Sequence, residues 1–283
     1  MARSQSTAST AAFTDRVTLR TLHQWVKAGC KFPMLTCYDA TTARWLWRGG
    51  VKVLLAGDSA AQMILGYDDT IHAPLEFMLA ITAALRRGAP QAFVMGDMPF
   101  GSYQACDVEA VRNAGRFMTQ GLADAVKMEV DGAFVDTLKK VARASIPVVA
   151  HIGWRPQSFH RTGTAVVAGR TQAKITQLVD LAKRMQDAGA AMLLIEASTA
   201  EAAAQIVAAV SIPVIGCGAG PACHGHVVIL QDWLGLTDWH PAFVEPCVEG
   251  GKLLQDAAAK WDKLVRSGRY LKGNHPYQMT DGI

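Results

Sequence analysis

The chain of 283 residues lacks any run of the roughly 18 apolar residues that a membrane-crossing helix requires, so no transmembrane segment is expected. Its opening stretch, MARSQSTASTAAFTDR, has one early arginine and no apolar centre, and does not read as a secretory leader. A strong charge of one sign is also missing. The 28 Lys and Arg nearly balance the 24 Asp and Glu, for a net +4. The densest basic pairs, Arg86 with Arg87, Lys139 with Lys140 and Lys183 with Arg184, read as solvated helix faces, and no nucleic-acid partner is expected. Low complexity is absent: 25 glycines and 11 prolines are ordinary usage, and 50% of the residues are hydrophobic. Together these features exclude a disordered chain, a collagen-like fibre and a coiled coil. Six scattered cysteines (Cys30, Cys37, Cys106, Cys217, Cys223, Cys247) read as reduced thiols of a cytoplasmic protein. Residues 1–15 read as a flexible tail and 273–283 as a second tail, around one folded domain over 16–272.

Within that domain, short and nearly continuous apolar runs fall at 33–37, 51–56, 92–96, 125–128, 147–150, 191–195, 213–216 and 227–230. Continuous apolar character over so few residues marks strands buried on both faces, as in parallel sheets. Amphipathic patterns at 41–47, 75–87, 108–120, 134–144, 171–188, 200–210 and 252–266 predict helices between or after them. Gly88, Gly121 and Gly189 stand where left-handed helix caps are expected. The repeated βα rhythm predicts a (β/α)8 TIM barrel, with an open doubly wound sheet as the rival and an extra helix at 18–28 ahead of the first strand.

The polar residues that end the strands carry the chemistry. Asp58 and Ser59 end VKVLLAGDS, Asp97 ends AFVMGD, Lys127 and Glu129 end DAVKME, His151 ends IPVVAH and Glu196 ends AMLLIE. In a barrel these ends gather at one mouth. A single carboxylate there is as easily a helix N-cap, but five successive strands each delivering an ionisable group is harder to explain that way. Asp58, Asp97 and Glu129 offer only oxygen ligands, which suits a hard divalent ion such as Mg2+. Glu196 emerges from an apolar wall that would raise its pKa and make it a general base. Lys127 supplies positive charge against a developing enolate. The set suggests metal-assisted proton abstraction beside a carbonyl.

Residues 216–226, GCGAGPACHGH, fail the spacing of a dinucleotide fingerprint, because Pro221 and Cys223 stand where a third glycine belongs. A glycine loop after the seventh strand instead suggests close backbone approach to a ligand. Cys217, Cys223, His224 and His226 match no standard zinc spacing and read as buried thiols and loop histidines.

The stretches MLTCYDATTARW (34–45), VLLAGDS (53–59), DMPFGSYQ (97–104), DAVKMEV (124–130), IPVVAHIGWRPQ (146–157) and IPVIGCGAGP (212–221) resemble, in this order, the ketopantoate hydroxymethyltransferase family. RRGAP (86–90), RNAGRFM (112–118), AGR (168–170) and QDWLGL (231–236) extend the resemblance over roughly residues 20–270. It implies a (β/α)8 barrel assembled as a homo-oligomer, usually a decamer. It implies Mg2+ held by Asp58, Asp97 and Glu129, contacts to a 2-oxo acid from Asp58, Ser59, Asp97 and Lys127, and Glu196 as proton acceptor. His151 would touch substrate or product, or pack as a structural histidine. The implied reaction moves a hydroxymethyl group from 5,10-methylenetetrahydrofolate to 3-methyl-2-oxobutanoate, giving 2-dehydropantoate in pantothenate synthesis. The chain departs from the family pattern at Ala60, Ala61 and Gln62, at Gly163, Thr164 and Ala165, and at His224 and His226. These loops bear on donor and acceptor choice, so another Mg-dependent lyase or aldolase acting on a related 2-oxo acid is the alternative.

Overall fold

The computed structural model describes residues 16–272 and Tyr277. Apart from Tyr277, the tails expected at 1–15 and 273–283 lie outside the described residues. Eight strands run β1 (Phe32–Thr36), β2 (Val53–Ala56), β3 (Phe93–Asp97), β4 (Ala125–Glu129), β5 (Val148–Gly153), β6 (Met192–Glu196), β7 (Val214–Cys217) and β8 (Gly225–Val228). Each pairs in parallel with the next, and β1 pairs with β8, so the sheet closes into a barrel in chain order. The (β/α)8 expectation is met and the open doubly wound sheet is excluded, because an open sheet has two unpaired edges. The helices are α1 (Leu19–Lys27), α2 (Ala40–Arg48), α3 (Ala60–Met63), α4 (Leu75–Gly88), α5 (Asp107–Thr119), α6 (Val135–Arg143), α7 (Phe159–Thr162), α8 (Gln172–Asp187), α9 (Ala200–Ala209), α10 (Leu230–Trp233) and α11 (Gly250–Arg266). None of the described helices is long and apolar enough to cross a membrane.

Two compact units divide the chain, one up to Leu230 and one from Gln231. All eight strands belong to the first. In the second, α11 carries the ion pairs Lys252 with Asp256 and Arg266 with Asp262, and Trp261 stacks edge-on against Tyr270 at 4.5 Å between ring centroids.

Local chemistry explains where the helices begin. Thr18 caps α1 in a reciprocal box with Thr21, Asp39 accepts from the Thr42 backbone at 2.8 Å to start α2, and Thr171 and Thr199 cap α8 and α9. The barrel interior is filled by alternate strand residues. Phe32, Met34, Val53, Leu55, Phe93, Met95, Ala125, Val149, Met192, Leu194, Ile215 and Val227 form one buried cluster, and Leu22 of α1 joins it. Trp25 approaches Phe32 at 6.1 Å between centroids, so the extra N-terminal helix covers the end of the barrel away from the mouth. The other strand faces pack outward against the helices. Gly96 shows how tight that packing is: a Cβ there would lie 2.4 Å from the ring of buried Phe117 on α5.

Several expectations need correction. Arg86 is not on a solvated face. It is buried, ion-paired with Asp124, and donates to the carbonyls of Pro90 at 2.9 Å, Ala92 at 2.7 Å and Leu122 at 3.1 Å. Asp124 also accepts the Val94 backbone N–H at 2.8 Å, so the pair ties α4 to the starts of β3 and β4. Gly189 has the left-handed φ of a cap, +103°, but Gly88 and Gly121 do not. Gly88 is glycine because a Cβ would meet the Ala40 carbonyl at 2.1 Å. The eighth strand begins at Gly225, not at residue 227, and the short helices α3, α7 and α10 escaped the pattern because one turn shows no periodicity.

Removing one partner of the mostly buried Arg86–Asp124 pair strands a charge, which costs about 3–5 kcal/mol. Asp124→Ala is therefore expected to lower the unfolding free energy by that amount, read as a lower urea midpoint at an unchanged m-value. An unmoved midpoint would show that Arg86 reaches solvent instead.

Candidate active site

Strand parity builds the site. On β3, Phe93 and Met95 point inward, so Asp97 does too; on β4, Ala125 does, so Lys127 and Glu129 follow; Val149 brings His151, and Met192 with Leu194 brings Glu196. Strand register then aligns them, Asp97 beside Lys127 and Glu129 beside His151. The apolar interior below ends and a polar layer begins at the C-terminal strand ends, where barrel mouths lie.

The groups form a continuous chain of contacts. The Asp58 backbone N–H donates to Asp97 Oδ2 at 3.0 Å, and Lys127 Nζ donates to the same oxygen at 2.7 Å. Lys127 Nζ lies 3.9 Å from Glu129 Oε1, which lies 3.6 Å from His151 Nδ1. His151 Nε2 lies 3.4 Å from Glu196 Oε2. Ser59 shares a hydrogen bond of 2.9 Å with the Tyr38 hydroxyl, which also donates to Thr36 at 2.9 Å. All seven residues expected from the sequence thus stand in one mouth. Asp58, Ser59, Asp97, Lys127, Glu129 and His151 are buried, and the Glu196 side chain keeps 22% exposure. The helix-cap alternative does not describe these groups: Ser59 occupies the N-cap position of α3 without a side-chain cap bond, whereas Asp39 and Asp131 are the acidic residues that do cap.

Burial and like charge govern the electrostatics. Burial and the Asp58 charge push the Asp97 carboxyl up to about 7, against the pull of Lys127. Burial likewise holds Glu129 well above the usual carboxylate range. Burial raises Glu196 to about 7, opposed by Lys127. Burial works against the Lys127 charge, but Asp97, Asp58 and Glu129 outweigh it and raise its pKa above the ordinary value. His151, buried and facing Lys127 and Arg155, is held well below the ordinary histidine value and is neutral.

Sequence reasoning missed two residues. Gln157, on the turn after β5, donates its backbone N–H to Glu129 Oε2 at 3.0 Å and its amide to Asp58 Oδ2 at 2.9 Å. Tyr103, buried, accepts the Glu129 N–H at 3.1 Å and donates to Gln157 Oε1 at 2.9 Å. Both lie inside the matching stretches DMPFGSYQ and IPVVAHIGWRPQ, but neither is ionised near neutral pH or ends a strand, so neither signal used above marks them. A cavity of about 210 Å³ reaches Tyr103, Glu129 and Gln157. A larger one, about 480 Å³, lies beside Gly153, Arg155 and Lys174 and contains none of the seven.

Packing requires glycine at two positions of the glycine loop. A Cβ on Gly216 would meet Cys223 Sγ at 2.9 Å, and one on Gly220 would meet Ala200 Cβ at 2.7 Å. Cys223 is buried, and His224 Nδ1 accepts the Val214 N–H at 3.0 Å.

The carboxylates fit a cation. Among the described residues, Asp97 Oδ1 and Glu129 Oε1 are buried oxygens with no hydrogen-bond partner. One lysine cannot neutralise three buried carboxylates, and buried charge demands compensation. Among the described residues no three such groups are closed into a ready-made metal cage. Mutual repulsion of the carboxylates opposes such closure, and Lys127 and Gln157 engage one oxygen on each of them.

A closed parallel barrel with a mouth of carboxylates around one lysine defines the class. The same architecture occurs in 2,3-dimethylmalate lyase, a PEP mutase/isocitrate lyase superfamily member, with a TM-score of 0.60 over 94% of this chain and 92% of that one. At 18% identity that likeness is one of fold. The family model of ketopantoate hydroxymethyltransferase matches residues 16–272, and the chain belongs to that family. It is 41% identical to the 3-methyl-2-oxobutanoate hydroxymethyltransferase of Prosthecochloris aestuarii (strain DSM 271 / SK 413), over 90% of this chain and 94% of the relative. It is 38% identical to the protein of that name from Clostridium novyi (strain NT), over 94% and 97%.

Asp97→Ala is expected to weaken divalent-cation binding by at least about 10-fold, read by calorimetric titration. An unaltered titration would remove Asp97 from the ligand set.

Proposed function

We propose that this chain transfers a hydroxymethyl group from 5,10-methylenetetrahydrofolate to 3-methyl-2-oxobutanoate, giving 2-dehydropantoate for pantothenate synthesis. The observation that carries the reading is the meeting of Asp58, Asp97, Lys127, Glu129 and Glu196 in one mouth of a chain that belongs to this family. Asp58, Asp97 and Glu129 would hold Mg2+, which when bound supplies Lewis-acid polarisation of a 2-oxo acid's adjacent oxygens.

The chain's own groups divide the remaining work. Lys127 brings a buried positive charge to the place where negative charge develops as the C3 proton leaves. Ser59, held by Tyr38, and Asp58 orient the acid. Glu196 takes the C3 proton on its carboxylate: it is half-buried, its pKa lies near neutrality, and it stands apart from the three proposed ligands. The carbon so activated bonds to the donor's methylene carbon, both of whose C–N bonds break; water supplies the hydroxyl, the proton taken by Glu196 and the second proton of water go to the two folate nitrogens, and tetrahydrofolate departs. Neutral His151 lies 3.4 Å from the Glu196 carboxylate, and neither of its ring nitrogens has a hydrogen-bond partner among the described residues. The lyase alternative has only fold likeness in its favour, and Cys106, an acid or nucleophile candidate for such a reaction, is an exposed residue at the N-cap position of α5. A cytoplasmic homo-oligomer, decameric by resemblance, belongs to the same proposal. Exposed Leu253, Leu254 and Trp261 on α11 support the assembly, which size-exclusion chromatography with light scattering tests.

Proton NMR in D2O tests the reaction. Loss of the 3-methyl-2-oxobutanoate C3 proton with Mg2+, and formation of 2-dehydropantoate only when the folate is added, are expected. Exchange without transfer would move the one-carbon step elsewhere. Glu196→Gln is expected to keep substrate binding and lower exchange by about 10²–10⁴-fold; unchanged exchange removes it as the base. Because the base must be ionised, and its pKa is raised to about 7, wild-type exchange should rise with pH through about 7 and level off above. A profile flat from pH 5 to 9 contradicts this assignment.

A further inference from the structure

Gln157 uses every hydrogen-bonding position of its side-chain amide. Nε2 donates to Asp58 Oδ2 at 2.9 Å and to the Met98 carbonyl at 3.1 Å. Oε1 accepts from the Tyr103 hydroxyl at 2.9 Å and from Gln104 Nε2 at 3.1 Å. A flipped amide would set its oxygen against two acceptors, so the network fixes which end is which. Its backbone N–H holds Glu129 Oε2. One buried residue on the β5 turn therefore joins a carboxylate that follows β2 to one that ends β4.

We propose that Gln157 is a positioning residue that sets the spacing and rotation of Asp58 and Glu129; the inference rests on the reading that these carboxylates hold a divalent cation. Two carboxylates repel each other, and a neutral double donor between them restrains both without adding charge. On each it engages one oxygen. Glu129 Oε1 has no hydrogen-bond partner among the described residues, with Lys127 Nζ 3.9 Å away, and Asp58 Oδ1 takes no part in the clamp. Asp97 is treated alike by other means: Lys127 and the Asp58 N–H engage Oδ2, and Oδ1 is left over. The result is a set of carboxylates of which Asp97 and Glu129 each keep one buried oxygen with no hydrogen-bond partner among the described residues. Tyr103 and Gln104 lock the amide and so tie the set to the loop after β3.

The test is Mn2+ titration followed by electron paramagnetic resonance, without substrate, on the full chain. Gln157→Leu keeps the side-chain volume and removes both donors to Asp58 and Met98. Its Mn2+ dissociation constant is expected to rise about 10–100-fold, with turnover recovered at high Mg2+. A merely structural role would lower the thermal midpoint and leave that constant and the recovery untouched. Gln157→Asn keeps the backbone bond to Glu129 and withdraws the amide from Asp58, and decides the matter if the leucine variant does not fold, with a rise of about 10-fold expected. Wild-type affinity in a folded variant overturns the clamp alone. Failure of the wild-type chain to bind Mn2+ overturns the cation reading and the clamp with it.

Discussion

The mouth of this barrel depends on one positive charge. Lys127 is the one buried cation there among the described residues, and Asp97, Glu129 and Asp58 surround it. Burying an uncompensated carboxylate costs several kcal/mol, so such a cluster persists only if counter-charges and donors meet it. Lys127 supplies the counter-charge, and the Asp58 N–H and the Gln157 amide supply donors. The compensation is incomplete. The negative surplus is what the proposed divalent cation would offset, while burial brings the pKa of Glu196 up to about 7, the range in which the proposed base is most effective.

Lys127 can play this part because of where the barrel puts it. The same inward parity that sends Met95, Ala125, Val149 and Leu194 into the apolar interior sends the next inward residue of each strand into the mouth. Hydrophobic burial thus fixes the register, since a slip of one residue would turn every interior side chain outward, and the register fixes the site. The chemistry inherits its geometry from the core. The Arg86–Asp124 pair acts at the other end of β3 and β4, anchoring the two strands that carry Asp97, Lys127 and Glu129.

The positions that depart from the family pattern have different places in this arrangement. Ala60 and Ala61 are fully buried in α3, directly after Asp58 and Ser59, so small side chains there decide how closely that helix packs beside the mouth. Residues 163–165 lie on an exposed loop beyond α7, with Gly163 in a left-handed turn. His226 lies on β8 and pairs with Pro33 and Gly216, and His224 satisfies a backbone donor. Ala61 and Gln62 bond the Asp58 and Ser59 carbonyls through their backbone N–H groups, whereas no side chain at these positions hydrogen-bonds the mouth residues among the described contacts, so the proposed enolate chemistry is less exposed to these changes than the choice of donor.

By itself the sequence determined the eight strands, most of the helices and the seven mouth residues, because burial on both faces leaves continuous apolar runs and charged residues interrupt them visibly. It mistook Arg86 for a surface residue, since a helix pattern does not show that Asp124, on another turn of the barrel, waits to pair with it. Gly88 and Gly121 were misread for a like reason: their need for glycine comes from the Ala40 and Phe117 backbones, and only the Phe117 one is near in sequence. Only the tertiary structure decided that Gln157 and Tyr103 hold Asp58 and Glu129 in place. Neutral side chains carry no charge signal, and their role exists only where strands distant in the chain are drawn to within a hydrogen bond of one another.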